Sequence, residues 1–590
     1  MPSSYSARAV IATTLVVPLA LAAMLAAGVA QPARAQTFDP LRKSPMVLMD
    51  VPGDAIRYHR DRQRGAELIA QGKWSEAEEL FAWLASEYPR DGLNWQRLAW
   101  ARVEQGKLRE SVPAYENAGA RLGWGPWYLP RINIAVGRAA AGDRSGALEA
   151  LRQAVFEDHG IVRQRLWNSS SFAALRDDPE FARIVGHVDT QGMSRDDGWR
   201  RDLQYLYDEI ARTSPDYRER PLPAEFTRRF EQVRTDVPKL SDEEIFVGMN
   251  RMLAVLHAGH TSLFPTRGSR YLPIRPYAFP EGIYVIDADS SARAVLGSRI
   301  VAIGRFGVDS IMRLLAQARS VDGDMQHLWG TSDLAITHYL KGVGAISRTD
   351  SIPVTVQTAD GKTRTITLAT RDSARPGRQD RLVAPPSVTP PLFLRDLDQM
   401  HWELALPEHD ATYAQINNIL NDSSETLAAF GRRLGTMLDT AKRRNLILDL
   451  RHNNGGNTAL YVELLRSLVS FSRDPANRVY ALIGRRTFSA TANFITDLER
   501  LVGPVWVGEA SSECCNFHGD PTPVTLPYSG LQGEFSVVRW NLSTNAFDGR
   551  REMSPDVPVQ LTAKAYFAGQ DPALEAVFRL VAEDKRSAAR

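Results

Sequence analysis

The chain has 590 residues, of which 44% are hydrophobic and 24% charged, and its formal net charge is +2 at pH 7. This composition is ordinary for globular protein, and the length predicts three or four domains at roughly 100–200 residues each. The nearly balanced charge lacks the basic footprint of a nucleic-acid-binding protein. We therefore expect no nucleic-acid partner and no polybasic membrane patch.

The first 35 residues have the pattern of a secretory signal peptide. The stretch from Ala9 to Ala30 is almost wholly apolar, and Ala33-Arg34-Ala35 is a small-x-small cleavage site. This pattern predicts a periplasmic or secreted protein with no membrane span after cleavage. An uncleaved anchor is the alternative, because an apolar run of about 20 residues can span a bilayer.

Residues 56–190 contain a repeat with steps of 34 and 36 residues. Each copy has a glycine, then a small residue, then a bulky one: Gly72, Ala77 and Phe81; Gly106, Ser111 and Tyr115; Gly142, Ala147 and Leu151. The pattern resembles tetratricopeptide repeats, which have a period of about 34 residues and fold as helix pairs. We expect an all-α domain that could bind a protein partner, with a generic helical bundle as the alternative.

The next two regions differ in the spacing of their apolar residues. Residues 195–265 have helical spacing, whereas residues 270–372 contain four alternating segments, such as Gly282–Asp287 and Ile352–Gln357. Alternation predicts half-buried strands. Their order resembles a PDZ-type module, which binds extended peptides at a sheet edge. A β-rich insert without a binding role is the alternative, and residues 373–395 are interpreted as a linker.

Residues 396–580 alternate short apolar runs with helical segments, which predicts an α/β core. Three fragments of this core carry candidate chemistry: Asp449-Leu-Arg-His-Asn-Asn-Gly-Gly456, Arg486-Thr-Phe-Ser489-Ala490 and Gly508-Glu509. A strand that runs into Gly-Gly and a helix exposes N–H groups suited to an oxyanion. A serine at a strand-to-helix junction lies at the rim of the sheet, where substrate can reach it.

In this order and spacing, the three fragments resemble the tail-specific (carboxyl-terminal processing) and tricorn-type serine peptidases. The resemblance covers roughly residues 195–580 and is strongest over residues 440–580. It implies a crotonase-like α/β core that hydrolyses peptide bonds in polypeptides, with Ser489 as the nucleophile and no metal or cofactor.

The oxyanion hole is expected to use the backbone N–H of Ala490 together with that of Gly455 or Gly456. A plain tight turn is the alternative interpretation of the two glycines. Arg451 and Asn453 are expected to brace this loop rather than contact substrate.

The general base departs from the common pattern of the family. Many members have a lysine about 25 residues after the serine, whereas here position 514 is Cys514 and no lysine lies between Ser489 and Asp520. A tricorn-like subset uses a histidine from the helical part of the domain. The Gly-His-Thr string at His260 resembles that form, although Ala258 stands where an acidic residue is usual. We therefore predict His260 as the base, since histidine titrates near neutral pH.

Other assignments remain open at this stage. His518 and Lys564 are alternative bases, and Glu509 or Asp556 could orient the histidine. The adjacent cysteines at 514 and 515 could form a vicinal disulfide, but they do not predict thiol chemistry or a zinc site. The missing lysine and Ala258 motivate a second hypothesis, a catalytically inactive scaffold that binds polypeptides or partner proteins.

Overall fold

The structure, a computed structural model, describes residues 55–122, 130–157, 160–265, 268–372, 382–385, 388–441, 443–545 and 547–588. The predicted signal peptide, residues 1–35, lies outside these ranges. The chain divides into two compact units, Met1–Gln191 and Gly192–Arg590. In the described ranges, no helix has both the length and the apolar character needed to cross a membrane.

The described part of the first unit is all-helical. Its elements are α1 (Ala55–Ala70), α2 (Trp74–Glu87), α3 (Gly92–Glu104), α4 (Leu108–Leu122), α5 (Pro130–Ala140), α6 (Arg144–Glu157), α7 (Arg163–Asn168), a 3₁₀ turn (Ser170–Leu175) and α8 (Pro179–Ile184).

The repeated glycines lie in the turns that join α1 to α2, α3 to α4 and α5 to α6. Gly72, Gly106 and Gly142 have φ of +69°, +74° and +78°, a left-handed conformation in which glycine has no Cβ penalty. The repeated small and bulky residues are buried in the interior of this unit: Ala77, Phe81, Ser111, Tyr115, Ala147 and Leu151. The sequence repeat therefore corresponds to three helix–turn–helix pairs.

The second unit begins with three helices, α9 (Arg195–Thr213), α10 (Ala224–Asp236) and α11 (Asp242–Leu253). A capping box starts α11, because Ser241 and Glu244 each accept the other's backbone N–H. A 3₁₀ turn follows α11 and ends at His257, which has a φ of +49°. This turn directs the chain into the segment that carries His260.

The β-rich region after α11 forms an antiparallel sheet. Its elements are β1 (Ser262–Leu263), β2 (Ile274–Phe279), β3 (Gly282–Ala288), β4 (Arg299–Ile303), β5 (Phe306–Gly307), α12 (Val308–Ala316), α13 (Thr337–Gly342), β6 (Ser351–Gln357) and β7 (Thr363–Ala369). The sheet order is β2-β3-β4-β6-β7, with β5 paired to β4 and β1 in a different sheet. Burial alternates along β6, as its sequence predicts.

The remaining elements build the α/β part. They are β8 (His401–Leu406), β9 (Ala411–Ile416), α14 (Leu427–Ala441), β10 (Asn445–Asp449), α15 (Val462–Ser472), β11 (Arg478–Ile483), α16 (Ala490–Leu501), β12 (Val505–Gly508), β13 (Asn516–Thr525), β14 (Gln532–Asn541), β15 (Val557–Pro558), α17 (Ala563–Phe567) and α18 (Pro572–Ala588). The main sheet has the order β15-β12-β11-β10-β9-β8, and its strands are parallel except for β8.

Both faces of the main sheet are covered. Leu446 and Leu448 of β10 pack in one apolar cluster with residues of α14, α15 and α16, and Ile447 packs in another with Val577 of α18. Burying each such side chain contributes about 1.5–3 kcal/mol. The chain leaves β10, β11 and β12 at one edge of the sheet, since these strands are parallel. The three fragments predicted to carry chemistry therefore meet at that edge.

A third sheet, ordered β1-β14-β13, fixes the two candidate histidines. Ser262 of β1 pairs with Glu534 of β14, and His518 of β13 pairs with Arg539 of β14. His260 lies two residues before β1, so β14 connects the backbone near His260 with that of His518.

Candidate active site

Ser489 lies at the junction between β11 and α16. It is the residue before the first residue of α16, and its φ and ψ are +59° and −127°. A residue other than glycine adopts such a backbone only when the surroundings enforce it, and such residues cluster at functional sites. The turn before it is held by Thr487, whose hydroxyl donates to the Leu450 carbonyl at 3.0 Å and accepts the N–H of Gly484 at 3.1 Å. The turn therefore presents Ser489 at the sheet edge, as the sequence predicts.

The Gly455-Gly456 loop lies directly against Ser489. A Cβ on Gly455 would lie 2.5 Å from the Cβ of Ser489, and a Cβ on Gly456 would lie 2.3 Å from the carbonyl oxygen of Ile419. Both glycines also have positive φ, +96° and +142°. No larger residue fits either position without displacing its neighbours.

Asn453 joins this loop to the serine turn. Its side-chain oxygen accepts the N–H of Gly455 at 3.1 Å and the hydroxyl of Thr491, and its carbonyl accepts the N–H of Phe488 at 3.2 Å. This contact set agrees with the predicted bracing role. It also occupies the Gly455 N–H, one of the predicted oxyanion donors.

The other predicted donors are Gly456 and Ala490. Ala490 is the first residue of α16, and the first N–H groups of a helix have no intrahelical acceptor. The positive end of the helix dipole also lies there, which favours negative charge. The Ala490 N–H is therefore the predicted donor that the geometry favours most.

Arg451 is a bracing residue in the structure. Its guanidinium pairs with Asp449 at 2.5 Å and with Asp571 at 2.8 Å, and it lies 4.4 Å from the centroid of the Phe393 ring. All three charged groups are buried or nearly so. They tie the end of β10 to the start of α18.

The His260 segment is held by two side chains of the β-rich region. Ser320 Oγ accepts the N–H of Ala258 at 2.8 Å, and Asp322 Oδ2 accepts the N–H of Gly259 at 2.6 Å. On the other side of His260, Thr261 Oγ1 accepts the N–H of Ser536 at 3.0 Å. The position of His260 therefore depends on residues that are distant in the sequence.

The His260 ring lies beside the serine turn. It stacks on Phe488 with ring centroids 4.3 Å apart, and its Nδ1 lies 2.9 Å from the carbonyl oxygen of His518. A carbonyl can only accept, so Nδ1 carries the proton and Nε2 keeps the lone pair. Burial lowers the pKa of His260 to about 4, against the opposing effect of Asp322. The ring is therefore a neutral proton acceptor at neutral pH.

Glu513 connects the serine to the histidine. Its Oε2 accepts the N–H of Ser489 at 2.8 Å, and its Oε1 lies 3.5 Å from Nδ1 of His260. Glu513 is fully buried, and Oε1 makes no hydrogen bond among the described residues. Within the same ranges, no hydrogen bond joins the Ser489 hydroxyl to the His260 ring. Catalytic hydrogen bonds are often long in the free enzyme and shorten when substrate binds.

His518, the alternative base, lies between two carboxylates. Its Nε2 is 2.8 Å from Asp216 Oδ2 and its Nδ1 is 3.5 Å from Asp322 Oδ1. Burial acts to lower the pKa of His518, but Asp216 and Asp322 raise it to about 9. The ring is therefore cationic at neutral pH and has no lone pair with which to accept a proton.

The remaining candidates, Glu509, Asp556 and Lys564, are not seen to contact Ser489 or His260 among the described residues. Glu509 forms a bidentate ion pair with Arg485 at 2.9–3.0 Å. Asp556 accepts the N–H of Trp506 at 2.9 Å, and Lys564 lies in α17. None of these contacts orients His260.

Two further features lie next to Glu513. His260, Asp322 and Glu513 each place one potential ligand atom within 4.8 Å of the others, the one metal-sized group of this kind in the ranges that the structure describes. Cys514 and Cys515 form a buried vicinal disulfide immediately after Glu513.

Sequence reasoning did not find Glu513, Asp322 or Ser320. Glu513 had a signal, because it stands one residue before the position where the family's lysine is common. Ser320 and Asp322 had none, since they lie 60 and 62 residues after His260, in a region assigned to the β-rich module.

Comparison with solved structures finds matches at low sequence identity. The chain is similar to mature CPAF, with 13% identity, 65% of this chain and 98% of that chain covered, and a TM-score of 0.49. It is also similar to the photosystem II D1 C-terminal processing protease (17% identity, 65% and 97% covered, TM-score 0.31) and to the tricorn protease (12% identity, 66% and 37% covered, TM-score 0.29).

Two of these structures are named as a C-terminal processing protease and as the tricorn protease, the two kinds of peptidase that the three sequence motifs resemble. No protein-family model matches the chain. No curated protein sequence matches it either.

Proposed function

We propose that the protein is an exported serine peptidase that hydrolyses peptide bonds in polypeptides. The observation that carries this proposal is the junction at Ser489. A serine with a positive φ lies at the end of a parallel strand, with a buried neutral histidine beside it and the N-terminus of α16 after it.

The proposed mechanism assigns each group one role. Ser489 Oγ attacks the scissile carbonyl carbon while Nε2 of His260 takes its proton. The N–H of Ala490, together with that of Gly456, binds the resulting oxyanion, because Asn453 occupies the N–H of Gly455. The protonated His260 then gives its proton to the leaving amine, and water hydrolyses the acyl-enzyme in the reverse sense.

The carbonyl of His518, rather than a carboxylate, is the acceptor that orients His260 in this proposal. It lies 2.9 Å from Nδ1 and fixes the tautomer that leaves Nε2 open. His518 itself is assigned no proton transfer, because its ring is cationic at neutral pH.

The other regions are given supporting roles. We assign the three helix pairs of the first unit to tetratricopeptide-like repeats that bind a protein partner or substrate. The antiparallel sheet of β2–β7 is assigned to a PDZ-like module, and the main sheet with its helices to a crotonase-like core. Export is proposed from the signal-peptide pattern of residues 1–35, with cleavage before Gln36.

The test uses the full chain, expressed with residues 1–35 and purified from the exported fraction. A defined peptide mixture is incubated with it and the products are identified by mass spectrometry. Wild type should cleave, Ser489→Ala and His260→Ala should be inactive, and His409→Ala, which changes a partly exposed histidine in the turn after β8, should keep wild-type activity. Sequencing of the mature N-terminus should find Gln36.

One observation favours a second candidate, an inactive scaffold that binds polypeptides. The Ser489 hydroxyl and the His260 ring share no hydrogen bond among the described residues. If folded wild type cleaves nothing between about pH 5 and about pH 9 but still binds peptides, the scaffold explains the protein and the peptidase assignment fails.

A further inference from the structure

Two buried carboxyl groups, those of Asp322 and Glu513, lie together beside His260. One oxygen of each carboxyl and a ring nitrogen of His260 lie within 4.8 Å of one another. Asp322 comes from the segment before α13, and Glu513 from the loop between β12 and β13. Two carboxylates this close and this dry cannot both ionise, because each disfavours the charge of the other. One of the two therefore keeps a proton.

The hydrogen bonds show which carboxyl is better suited to be the anion. Asp322 Oδ2 accepts the N–H of Gly259 at 2.6 Å, and its Oδ1 faces the His518 ring at 3.5 Å. His518 is held as a cation by a second carboxylate, Asp216, to which Arg539 also binds at 3.1 Å. Asp322 thus has a cation and a backbone donor, both of which stabilise a negative charge.

Glu513 has the opposite surroundings. It accepts the N–H of Ser489, and no N–H or hydroxyl among the described residues donates to its Oε1; the group beside that oxygen is the Asp322 carboxyl. Burial, with Asp322 adding to it, raises the pKa of Glu513 well above its usual value. Burial acts on Asp322 in the same sense, but His518, Glu513 and the Gly259 N–H lower the pKa of Asp322 overall.

A metal ion is a less suitable occupant of this cluster. His260 Nδ1 carries a proton towards the His518 carbonyl, so that nitrogen is not an open ligand. A proton shared by the two carboxyls satisfies the cluster without any added group.

We propose that Asp322 is a positioning residue that supplies the negative charge of the site, and that Glu513 is a neutral carboxyl joining Asp322 to the Ser489 backbone. This inference rests on the proposed peptidase function. In it, Asp322 stabilises the His260 imidazolium that forms during acylation and holds the histidine segment in place. Glu513 fixes the serine backbone without bringing a second charge to the histidine.

The test is a double-mutant cycle of Asp322→Asn, Glu513→Gln and the combined variant. Glutamine is close in shape to a protonated glutamate and keeps an acceptor for the Ser489 N–H. Glu513→Gln should therefore lower kcat/KM only several-fold, through the serine backbone that Glu513 holds, whereas Asp322→Asn should lower kcat by roughly 100-fold or more with little change in KM. Asparagine at position 322 can still accept the Gly259 N–H. A lower kcat in Asp322→Asn would therefore result from the loss of the negative charge and not from the loss of this hydrogen bond.

The combined variant identifies the charge carrier. The combined variant contains neither carboxyl. The single variant whose kcat equals that of the combined variant has therefore lost the residue that carries the negative charge. The proposal expects Asp322→Asn to match it. If Glu513→Gln matches it and Asp322→Asn stays within about fivefold of wild type, then Glu513 is the carboxylate of the site and the proposal is overturned.

A second readout does not depend on catalysis. Infrared spectroscopy of Ser489→Ala at neutral pH should show the carbonyl band of a buried protonated carboxylic acid that is missing from the spectrum of the variant that also carries Glu513→Gln. Absence of the band in Ser489→Ala overturns the proposal even if the peptidase is active. Presence of the band with no peptidase activity in wild type leaves the carboxyl pair intact and rejects the peptidase function instead.

Discussion

The backbone N–H of Ser489 donates a 2.8 Å hydrogen bond to the Oε2 of Glu513, a residue 24 positions further along the chain. This bond fixes the serine backbone to a fully buried side chain in the loop after β12. The Ser489 N–H is thereby occupied, so the oxyanion donors must come from the residues around it. The positive φ of Ser489 can be tested by measuring the free energy of unfolding of variants at this position.

The positive φ of Ser489 predicts an unusual order of stability for two inactive variants. Ser489→Gly and Ser489→Ala both lack the hydroxyl and should both be inactive. We expect Ser489→Gly to unfold with a free energy roughly 1 kcal/mol higher, because only alanine keeps the penalty of the positive φ. Thermal and urea unfolding of both variants would measure this difference.

The matched control for the serine is Ser470, an exposed residue within α15. Ser470→Gly should unfold with a free energy about 1 kcal/mol lower than that of Ser470→Ala, since glycine weakens a helix. The same order at both positions, with alanine more stable, would contradict the strained backbone at Ser489.

The pH dependence of kcat/KM separates the two candidate bases. A histidine accepts a proton only when neutral, so activity is lost as the pH falls through its pKa. With His260 as base the acid limb should lie near pH 4, since burial lowers its pKa to about 4. With His518 as base activity would be small until the pH approached about 9.

This profile is measured from about pH 4 to about pH 10 on a fluorogenic peptide. Circular dichroism at each pH is the control, because the lowered pKa of His260 also removes folding stability as the pH falls from 6.5 towards about 4. Activity that rises only above pH 8 in folded protein would transfer the base assignment to His518.

Gly455 should tolerate no side chain. A Cβ there would lie 2.5 Å from that of Ser489 and 2.9 Å from the backbone nitrogen of Ala490. We expect Gly455→Ala to lower kcat/KM by about 100-fold or more, because a displacement of about 1 Å at the reacting group has that effect.

Gly503 provides the comparison for Gly455. It also has a positive φ, +64°, but a Cβ there would meet nothing within 4 Å. Gly503→Ala should cost about 1 kcal/mol of stability and leave kcat/KM unchanged. Equal losses of activity in the two variants would show that general instability, and not contact with the serine, is responsible.

Arg451 should be essential for stability. Arg451→Met leaves two buried carboxylates, Asp449 and Asp571, without their cation, and removing one partner of a buried pair costs about 3–5 kcal/mol. The control is Arg466→Met in α15, where an exposed ion pair with Glu463 is lost and about 0.5 kcal/mol or less is expected. Urea unfolding midpoints that agree between the two variants would refute the bracing role.

Much of the fold could be predicted because its signals are local. Alternation along Ile352–Gln357 predicts the strand observed as Ser351–Gln357, and the apolar run Leu446–Leu450 predicts Asn445–Asp449. The repeated glycines predict the turns between helix pairs, since the left-handed backbone of such a turn favours glycine. In each case a few consecutive residues determine the conformation.

The site was predictable only in part, for the same reason. Ser489 and the glycines at 455 and 456 lie at strand-to-helix junctions, which sequence patterns indicate. Whether a given histidine is a base depends instead on its protonation, and burial and neighbouring carboxylates decide that. The Gly-His-Thr string favours His260 by resemblance, but no sequence pattern shows that the pKa of His260 falls to about 4 while that of His518 rises to about 9.

The sequence by itself determined the main strands and helices, the order of the three motifs and the serine at the end of β11. Only the tertiary structure brought Ser320, Asp322 and Glu513 to His260, from segments 60 to more than 250 residues away along the chain. The physical reason is range. Backbone conformation follows from neighbouring residues, whereas charge, desolvation and proton sharing act through space between whichever groups the folded chain places in contact.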